Sequence, residues 1–364
     1  MCWIVTAAAR PATSMASTID RMRVLIGLSG GVDSSFAAHS LLQDGHQTEG
    51  AVLQMHEYTD TASAQAVAEK LGIVCHVIDC RERFAESVQR YFMDEYERGR
   101  TPNPCVFCNR QVKFALLASY AKEHGFDRIA TGHYARIGQE NGRFYIEKND
   151  SPKDQSYMLS RLTQDQLAML VFPLGETQEK DEIRRLAAEA ALPTAHKADS
   201  QEICFIPDND YAAFIEARRG PCTKGHFVDA EGRVLGEHKG ILHYTVGQRK
   251  GLGIALGRPH YVTDIDPQNG NVTLSPEDAY AEGFQAVDPV YQLADHDRPI
   301  EQERFDVKIR YAARPVPVTV SVKGGVIHAR FDAPQRAVTP GQNAVFYRDG
   351  KVALCGWIDR AGSE

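Results

Sequence analysis

The chain has 364 residues, 43% hydrophobic and 24% charged, an ordinary balance for a soluble globular protein and enough to bury one large core or two to three smaller ones. No run reaches the roughly 18 apolar residues of a membrane span, which argues against a membrane protein. The formal net charge of −7 gives no global sign of a polyanion partner, but such binding follows local potential, and Arg98-Gly99-Arg100, Arg249-Lys250 and Lys308-Ile309-Arg310 with Arg314 are locally basic.

Residues 1–21 read as an extension before the first strand, either unstructured or the product of an upstream start with Met22 nearer the true beginning. Their apolar patch precedes any basic residue, the wrong order for a secretory signal. Eight cysteines without such a signal point to a reducing, cytoplasmic setting and to thiols used for reactivity, metal binding or core filling.

From residue 23 short apolar runs alternate with helical segments. Strands are expected at 23–28, 50–55, 74–78 and 128–130, and helices from 32 to about 43, 61–71, 84–98 and 112–124. This order predicts an α/β fold with a doubly wound parallel sheet over residues 22–208, helices covering both faces, and ligands bound at the carboxyl ends of the strands. Helix-like runs at 163–171 and 179–191 extend that domain. After Asp208, closely spaced glycine and proline turns predict a small central β domain at 209–280. A second β unit at 281–360, with strand-forming runs at 305–311, 316–322, 326–331 and 344–357, suits a β-barrel.

The most informative stretch is Ser29-Gly30-Gly31-Val32-Asp33-Ser34-Ser35, which follows an apolar strand and opens onto a helix. Two glycines let the backbone approach an anion closely, and the first helical turn adds unpaired N–H groups and the positive end of the helix dipole. The Walker A lysine and the three-glycine dinucleotide fingerprint are missing. What remains is the loop of enzymes that split ATP between its α and β phosphates.

Three cysteines sit in chemically suggestive settings. Thr101-Pro102-Asn103-Pro104-Cys105-Val106-Phe107-Cys108-Asn109 reads as a loop, because two prolines two residues apart cannot continue a helix, and it presents Cys108 just before a new one. Near a helix start, with Arg100 and Arg110 close in sequence, the Cys108 thiol is expected to ionise more easily than a free one. Cys204 lies in Asp199-Ser200-Gln201-Glu202-Ile203-Cys204-Phe205-Ile206 after the last helix of the nucleotide domain. Structural zinc, dithiol redox chemistry and an iron–sulfur site on Cys105, Cys108 and Cys204 all remain open on spacing alone. Cys75 and Cys80 sit in an apolar strand pattern and read as core.

The motifs SGGVDSS, GRTPNPCVFCNRQVKF, ATGHYAR, KDQSYML, DSQEICFI, HYTVGQRKGLG, IRYAARP and TPGQNAVFY, in this order, resemble the tRNA-specific 2-thiouridylases of the PP-loop ATP pyrophosphatase superfamily. The resemblance implies an adenine-nucleotide α-hydrolase-like domain, a small β domain and a C-terminal β-barrel. It also implies a tRNA-uridine 2-sulfurtransferase that thiolates the wobble uridine, position 34, of lysine, glutamate and glutamine tRNAs. The ATP site would fall on Gly27, Leu28, Ser29, Gly30, Gly31, Val32, Asp33, Ser34, Leu53 and Gly132, with Mg²⁺ accompanying the phosphates. The nucleophile falls on Cys108 and the persulfide carrier on Cys204. Target-base contacts fall on Asn103, Pro104 and Cys105, and further tRNA contacts on His133, Lys153, Asp154, Gln155, Arg310, Tyr311 and Gln342. Some members carry Asp where this chain has Cys105, so an acid/base role there does not transfer; a third thiol makes a 4Fe-4S variant the alternative to the persulfide route, which is preferred because it needs only the two thiols that match the catalytic pair. The implied partners are tRNA and a sulfur donor, a cysteine desulfurase or sulfur-relay protein. A small-molecule ligase with the same loop would explain SGGVDSS but neither the cysteines nor the β domains. A non-catalytic metal- or RNA-binding protein would have no need of Asp33.

Overall fold

The computed structural model describes residues 21–177, 179–197, 203–295 and 297–362. Almost all of the N-terminal extension, and residues 199–202 of the Cys204 motif, lie outside the described residues. Five parallel strands form the first sheet in the order β3-β2-β1-β4-β7: β1 is Arg23–Gly27, β2 Gln47–Gln54, β3 Cys75–Asp79, β4 Arg128–Ala130 and β7 Leu170–Val171. The chain winds outward from β1 to β3, then returns to the other side of β1. The switch point therefore lies between β1 and β4, whose carboxyl ends lead into the glycine loop and into Thr131-Gly132-His133-Tyr134. A crevice at this place is where open α/β sheets bind ligands.

Period-two alternation along β1 sorts its side chains onto two covered faces. Val24 and Ile26 pack with helix α1 (Val32–Gln43), helix α2 (Thr61–Leu71) and the helix Lys180–Glu189, while Leu25 joins Ala51 and Leu53 against the longer helices of the other face. Cys80 is core, as expected, but β3 is the sheet edge, and Val74 and Val77 are exposed there.

Four sequence expectations are corrected. The helices expected at 84–98 and 112–124 both start earlier, at Arg81 and Pro104, and each carries a π-turn, Ala85–Gln89 and Asn109–Lys113, where the two touch. The helical run expected at 163–171 is cut short after Gln164–Ala168, because Leu170 and Val171 complete the parallel sheet beside β4. Tyr211–Arg219 is an additional helix, capped by the Asp210 side chain accepting from the Ala213 N–H. The run expected at 344–357 is two strands joined by a tight turn at Asp349-Gly350, both residues at positive φ, as a two-residue hairpin requires.

The middle unit is a four-stranded sheet ordered β10-β11-β8-β9, with β8 at Gly225–Val228, β9 at Val234–His238, β10 at Tyr261–Asp266 and β11 at Asn271–Ser275. The last unit is a closed six-stranded barrel. Its strands β12 (Tyr280–Tyr291), β13 (Glu303–Lys308), β14 (Val316–Lys323), β15 (Val326–Arg336), β16 (Asn343–Arg348) and β17 (Lys351–Ala361) run in the order β12-β15-β14-β13-β16-β17, and β12 closes on β17. A hairpin from the first unit, β5 (Arg136–Glu140) and β6 (Arg143–Glu147), extends this barrel sheet at Glu147 beside Lys351. Buried Gln292 of the barrel fastens the join: its Oε1 accepts from the Ile146 N–H, and its Nε2 donates to the Leu159 and Ser160 carbonyls. Among the described residues no helix is long and apolar enough to cross a membrane.

Candidate active site

At the switch point the glycine loop forms a cradle. Gly30 takes φ +70°, and Gly31 is the N-cap of α1 without a side-chain cap, so the first-turn N–H groups are left for a ligand. The serines shape the loop. Ser34 Oγ accepts from the Ser29 N–H at 3.1 Å and donates to the Gly31 carbonyl at 3.1 Å; Ser35 Oγ donates to the same carbonyl at 2.8 Å and accepts from Thr194 Oγ1 at 2.8 Å. Gly132 presses on the cradle from β4: a Cβ there would lie 2.6 Å from Asp33 C and Ser34 N, which only glycine avoids. The ATP residues expected from the resemblance thus gather at one place, with Leu53 at the carboxyl end of the neighbouring β2.

Asp33 is held on both oxygens. Tyr134 Oη donates to Oδ1 at 2.7 Å and Lys180 Nζ to Oδ2 at 2.8 Å. Tyr134 is fixed in turn by Gln155, whose Oε1 accepts from its N–H at 3.0 Å and whose N–H donates to its carbonyl at 2.9 Å. On the far side Lys197 Nζ donates to the Gly30 carbonyl at 2.9 Å and to Asp60 Oδ2 at 2.5 Å. The hydrogen bonds from Lys197 and Ser63 hold the Asp60 carboxyl down at about 2. Sequence reasoning missed Lys180, Lys197 and Thr194, which sit in no motif. Tyr134 could have been found, since it lies inside ATGHYAR.

The cysteine segment differs from its sequence reading. It is helical from Pro104: proline is tolerated at the first helical position, where its missing N–H costs nothing, and Asn103 caps the turn by accepting from the Val106 N–H at 3.2 Å. Cys108 is therefore inside a helix and buried, its Sγ 3.8 Å from Met55 Sδ just beyond β2, at the carboxyl end of the sheet, which also carries the glycine loop. The expectation of an easily ionised thiol fails. Burial pushes Cys108 up to about 12, against a lowering influence from Lys113. Arg100 cannot assist, since its guanidinium binds Glu95 and Asp359, each at 2.7 Å. Cys105 and Cys204 reach solvent, yet protein atoms crowd both, and desolvation is the first cause that raises each, Cys204 to about 11. The three thiols are near enough to raise one another: Cys204 and Cys105 both act on Cys108. The Cys204 loop is anchored by Phe205, which packs edge-on against Phe84 and Phe92. Among the described residues no three His, Cys, Asp or Glu side chains form a group that could hold a metal ion, so the thiols do not present a preformed cluster site.

The expected tRNA contacts fall around this segment. His133 is wedged between Phe114 and Phe172, its Nδ1 2.8 Å from Thr131 Oγ1, and burial lowers it to about 3, so it is neutral at pH 7. Lys153 is exposed, whereas Asp154 is turned inward, accepting from the Asn149 and Ser156 N–H groups and Ser156 Oγ. On the barrel, the Tyr311 ring lies 6.1 Å from Tyr157 beside this loop. Arg310 donates to the Ala337 carbonyl at 3.3 Å. Gln342 Nε2 donates to the Thr101 carbonyl at 2.8 Å, tying the barrel to the cysteine segment.

A doubly wound sheet with a glycine–serine pyrophosphate cradle at its switch point, followed by two β units, defines a PP-loop ATP-using enzyme. Family models match in the same order: a tRNA methyl transferase HUP domain at residues 22–208, a tRNA methyl transferase PRC-barrel domain at 212–276 and an aminomethyltransferase beta-barrel domain at 283–358. The chain is 45% identical to the tRNA-specific 2-thiouridylase MnmA of Geobacter metallireducens over 94% of this chain and 98% of that protein. It is 44% identical to the MnmA proteins of Acetivibrio thermocellus and Clostridium perfringens, over 93% of this chain and 99% of each. Among solved structures it is similar to NMN synthetase from Francisella tularensis, 20% identical, with a TM-score of 0.32 over 50% of this chain and 67% of that one. The chain belongs to the tRNA-specific 2-thiouridylase family.

Proposed function

We propose that this protein, acting in the cytoplasm, uses ATP and Mg²⁺ to replace O2 of the wobble uridine of tRNA with sulfur received from a donor protein. The carrying observation is that Cys108 lies beside Met55 at the same carboxyl end of the sheet as the SGGVDSS cradle, within electrostatic reach of Cys204. The domain descriptions name methyl transfer, but a cradle for pyrophosphate points to adenylation by ATP, which moving a methyl group does not need.

A pyrimidine carbonyl oxygen is a poor leaving group, so O2 first attacks the α-phosphorus of ATP and pyrophosphate leaves into the cradle, where the α1 N–H groups take its charge. Asp33, the carboxylate placed at the loop, is the residue that would hold Mg²⁺, and the ion when bound would supply neutralisation of the phosphate charge. Cys204 carries a persulfide, whose terminal sulfur attacks C2. Cys108, after losing its proton, attacks Sγ of Cys204 and breaks the sulfur–sulfur bond. The freed electron pair stays on the transferred sulfur, AMP leaves with O2, and a Cys108–Cys204 disulfide remains. A two-electron thiol reductant resets it. In this reading Asn103, Pro104 and Cys105, the capped first turn of the cysteine helix, contact the target base, and His133, Lys153, Asp154, Gln155, Arg310, Tyr311 and Gln342 contact the rest of the tRNA.

The test is pyrophosphate release and 2-thiouridine formation with wobble-uridine tRNA, an unrelated tRNA and no tRNA. Release that depends on the first supports the reading; release that depends only on a small metabolite overturns it in favour of a ligase. Activity that follows bound iron and is lost with it in Cys105→Ser would replace the persulfide route by the cluster route.

A further inference from the structure

We infer that a second RNA site lies in the cleft between the middle sheet and the barrel, where Arg249, Lys250 and Arg258 take successive phosphates of the tRNA backbone. This deepens the tRNA reading above by assigning affinity to a place that takes no part in the chemistry.

Three observations carry it. The first is shape: a cleft of about 600 Å³ lined by Arg249, Lys250, Tyr261, Tyr280 and Arg336 adjoins a groove of about 410 Å³ lined by Arg249 and Arg258. The second is charge. Arg336 in the cleft is ion-paired with Asp278, as several other arginines of the protein are with carboxylates of their own. Among the described residues the side chains of Arg249, Lys250 and Arg258 have no carboxylate partner. Three unmatched cations along one pair of grooves repel one another unless an anion joins them. The third is the backbone that bears them. Gly251, Gly253 and Gly257 take φ of +75°, +73° and +73°; a Cβ would meet nothing within 4 Å at Gly253 and Gly257 and only the Gln248 amide at 3.8 Å at Gly251, so these glycines serve conformation rather than packing. Gly247 does pack: a Cβ there would lie 2.5 Å from Ala337 Cβ.

The cations are spread over two grooves, which suits a strand of phosphates better than one small anion. Tyr280, 63% exposed, offers a ring face for a base or ribose at the rim. The site is continuous with the substrate face already described. Thr101 Oγ1 of the cysteine segment donates to Thr245 Oγ1 at the start of this loop at 3.2 Å, and Arg310 donates to the Ala337 carbonyl against which the loop rests.

The experiment compares the wild type with the triple variant Arg249→Ala, Lys250→Ala, Arg258→Ala, measuring tRNA affinity by fluorescence anisotropy across salt concentrations, together with tRNA-dependent pyrophosphate release. Each phosphate contact adds roughly 0.7 to 0.9 to the log–log salt slope, so losing two or three weakens binding about 20- to 100-fold at 0.15 M salt and makes the slope shallower by about 2. The kcat at saturating tRNA and the KM for ATP stay at wild-type values. Arg249→Lys with Arg258→Lys keeps the slope, which a merely structural role of the guanidinium groups would not allow. Unchanged affinity and slope in the alanine variant, or a fall in kcat with affinity intact, overturns the inference. Because anisotropy reads binding without turnover, a wild type that binds tRNA through these residues yet releases no pyrophosphate would overturn the thiolation reading and leave this site standing.

Discussion

Gly132→Ala is the smallest change that should disable the nucleotide site. The added Cβ would stand 2.6 Å from Asp33 C and Ser34 N and 2.8 Å from Asp33 O. All three are main-chain atoms of the first turn of α1, so no side chain can swing aside. Ordinary carbon contacts begin at about 3.5 Å, so the strand end and the cradle must part by roughly 1 Å. Overpacking of this kind costs about 1–3 kcal/mol, and at about 2–4 °C per kcal/mol for a domain of this size the melting temperature should fall by roughly 2–12 °C. The functional loss is larger, because a displacement of roughly 1 Å of groups that position a reacting phosphate costs about 10²-fold. The assay is kcat/KM for ATP in tRNA-dependent pyrophosphate release, with melting by scanning fluorimetry and tRNA binding by anisotropy. Binding of tRNA should hold, since the barrel and the basic loop lie elsewhere. A variant with wild-type kcat/KM for ATP and an unmoved melting temperature would refute the close packing of β4 on the loop.

Tyr134→Phe keeps a buried ring but removes the 2.7 Å hydrogen bond to Asp33, and should lower kcat/KM for ATP about tenfold or more; an unchanged value would mean that Lys180 alone fixes the carboxylate. Cys204→Ser should accept no persulfide, whereas Cys108→Ser should load sulfur but release no thiolated tRNA, both still adenylating; mass spectrometry of the loaded proteins separates them, and a Cys108→Ser enzyme that turns over normally removes that residue from the chemistry. With burial holding the Cys108 thiol up at about 12, its alkylation in the free enzyme should rise about tenfold per pH unit through pH 10, because only the thiolate reacts. A plateau below pH 9 would show an activated thiol instead.

The order of elements, the cradle and its serines, and the cysteines were legible in the chain because each is written locally: apolar runs of strand length, Gly-Gly before a helix, thiols in short distinctive motifs. Family membership was legible from eight short motifs. Where the sequence misled, distant residues had decided. Pro104 looked like a helix breaker and is a helix start. Cys108 looked activated because Arg100 and Arg110 were near in sequence; tertiary packing gave Arg100 to Glu95 and Asp359 and buried the thiol. Leu170 and Val171 became a strand only because β4 offered them an open edge. The hairpin β5–β6 left its own unit because barrel strand β17 could pair with it. Lys180 meets Asp33 across 147 residues, a contact that no local pattern records. Local propensity and spacing thus determined which elements exist and which residues can do chemistry. The choice of sheet neighbours, and the desolvation that goes with burial, determined which groups meet and in what state of charge, and those depend on surfaces that exist only once the chain has folded.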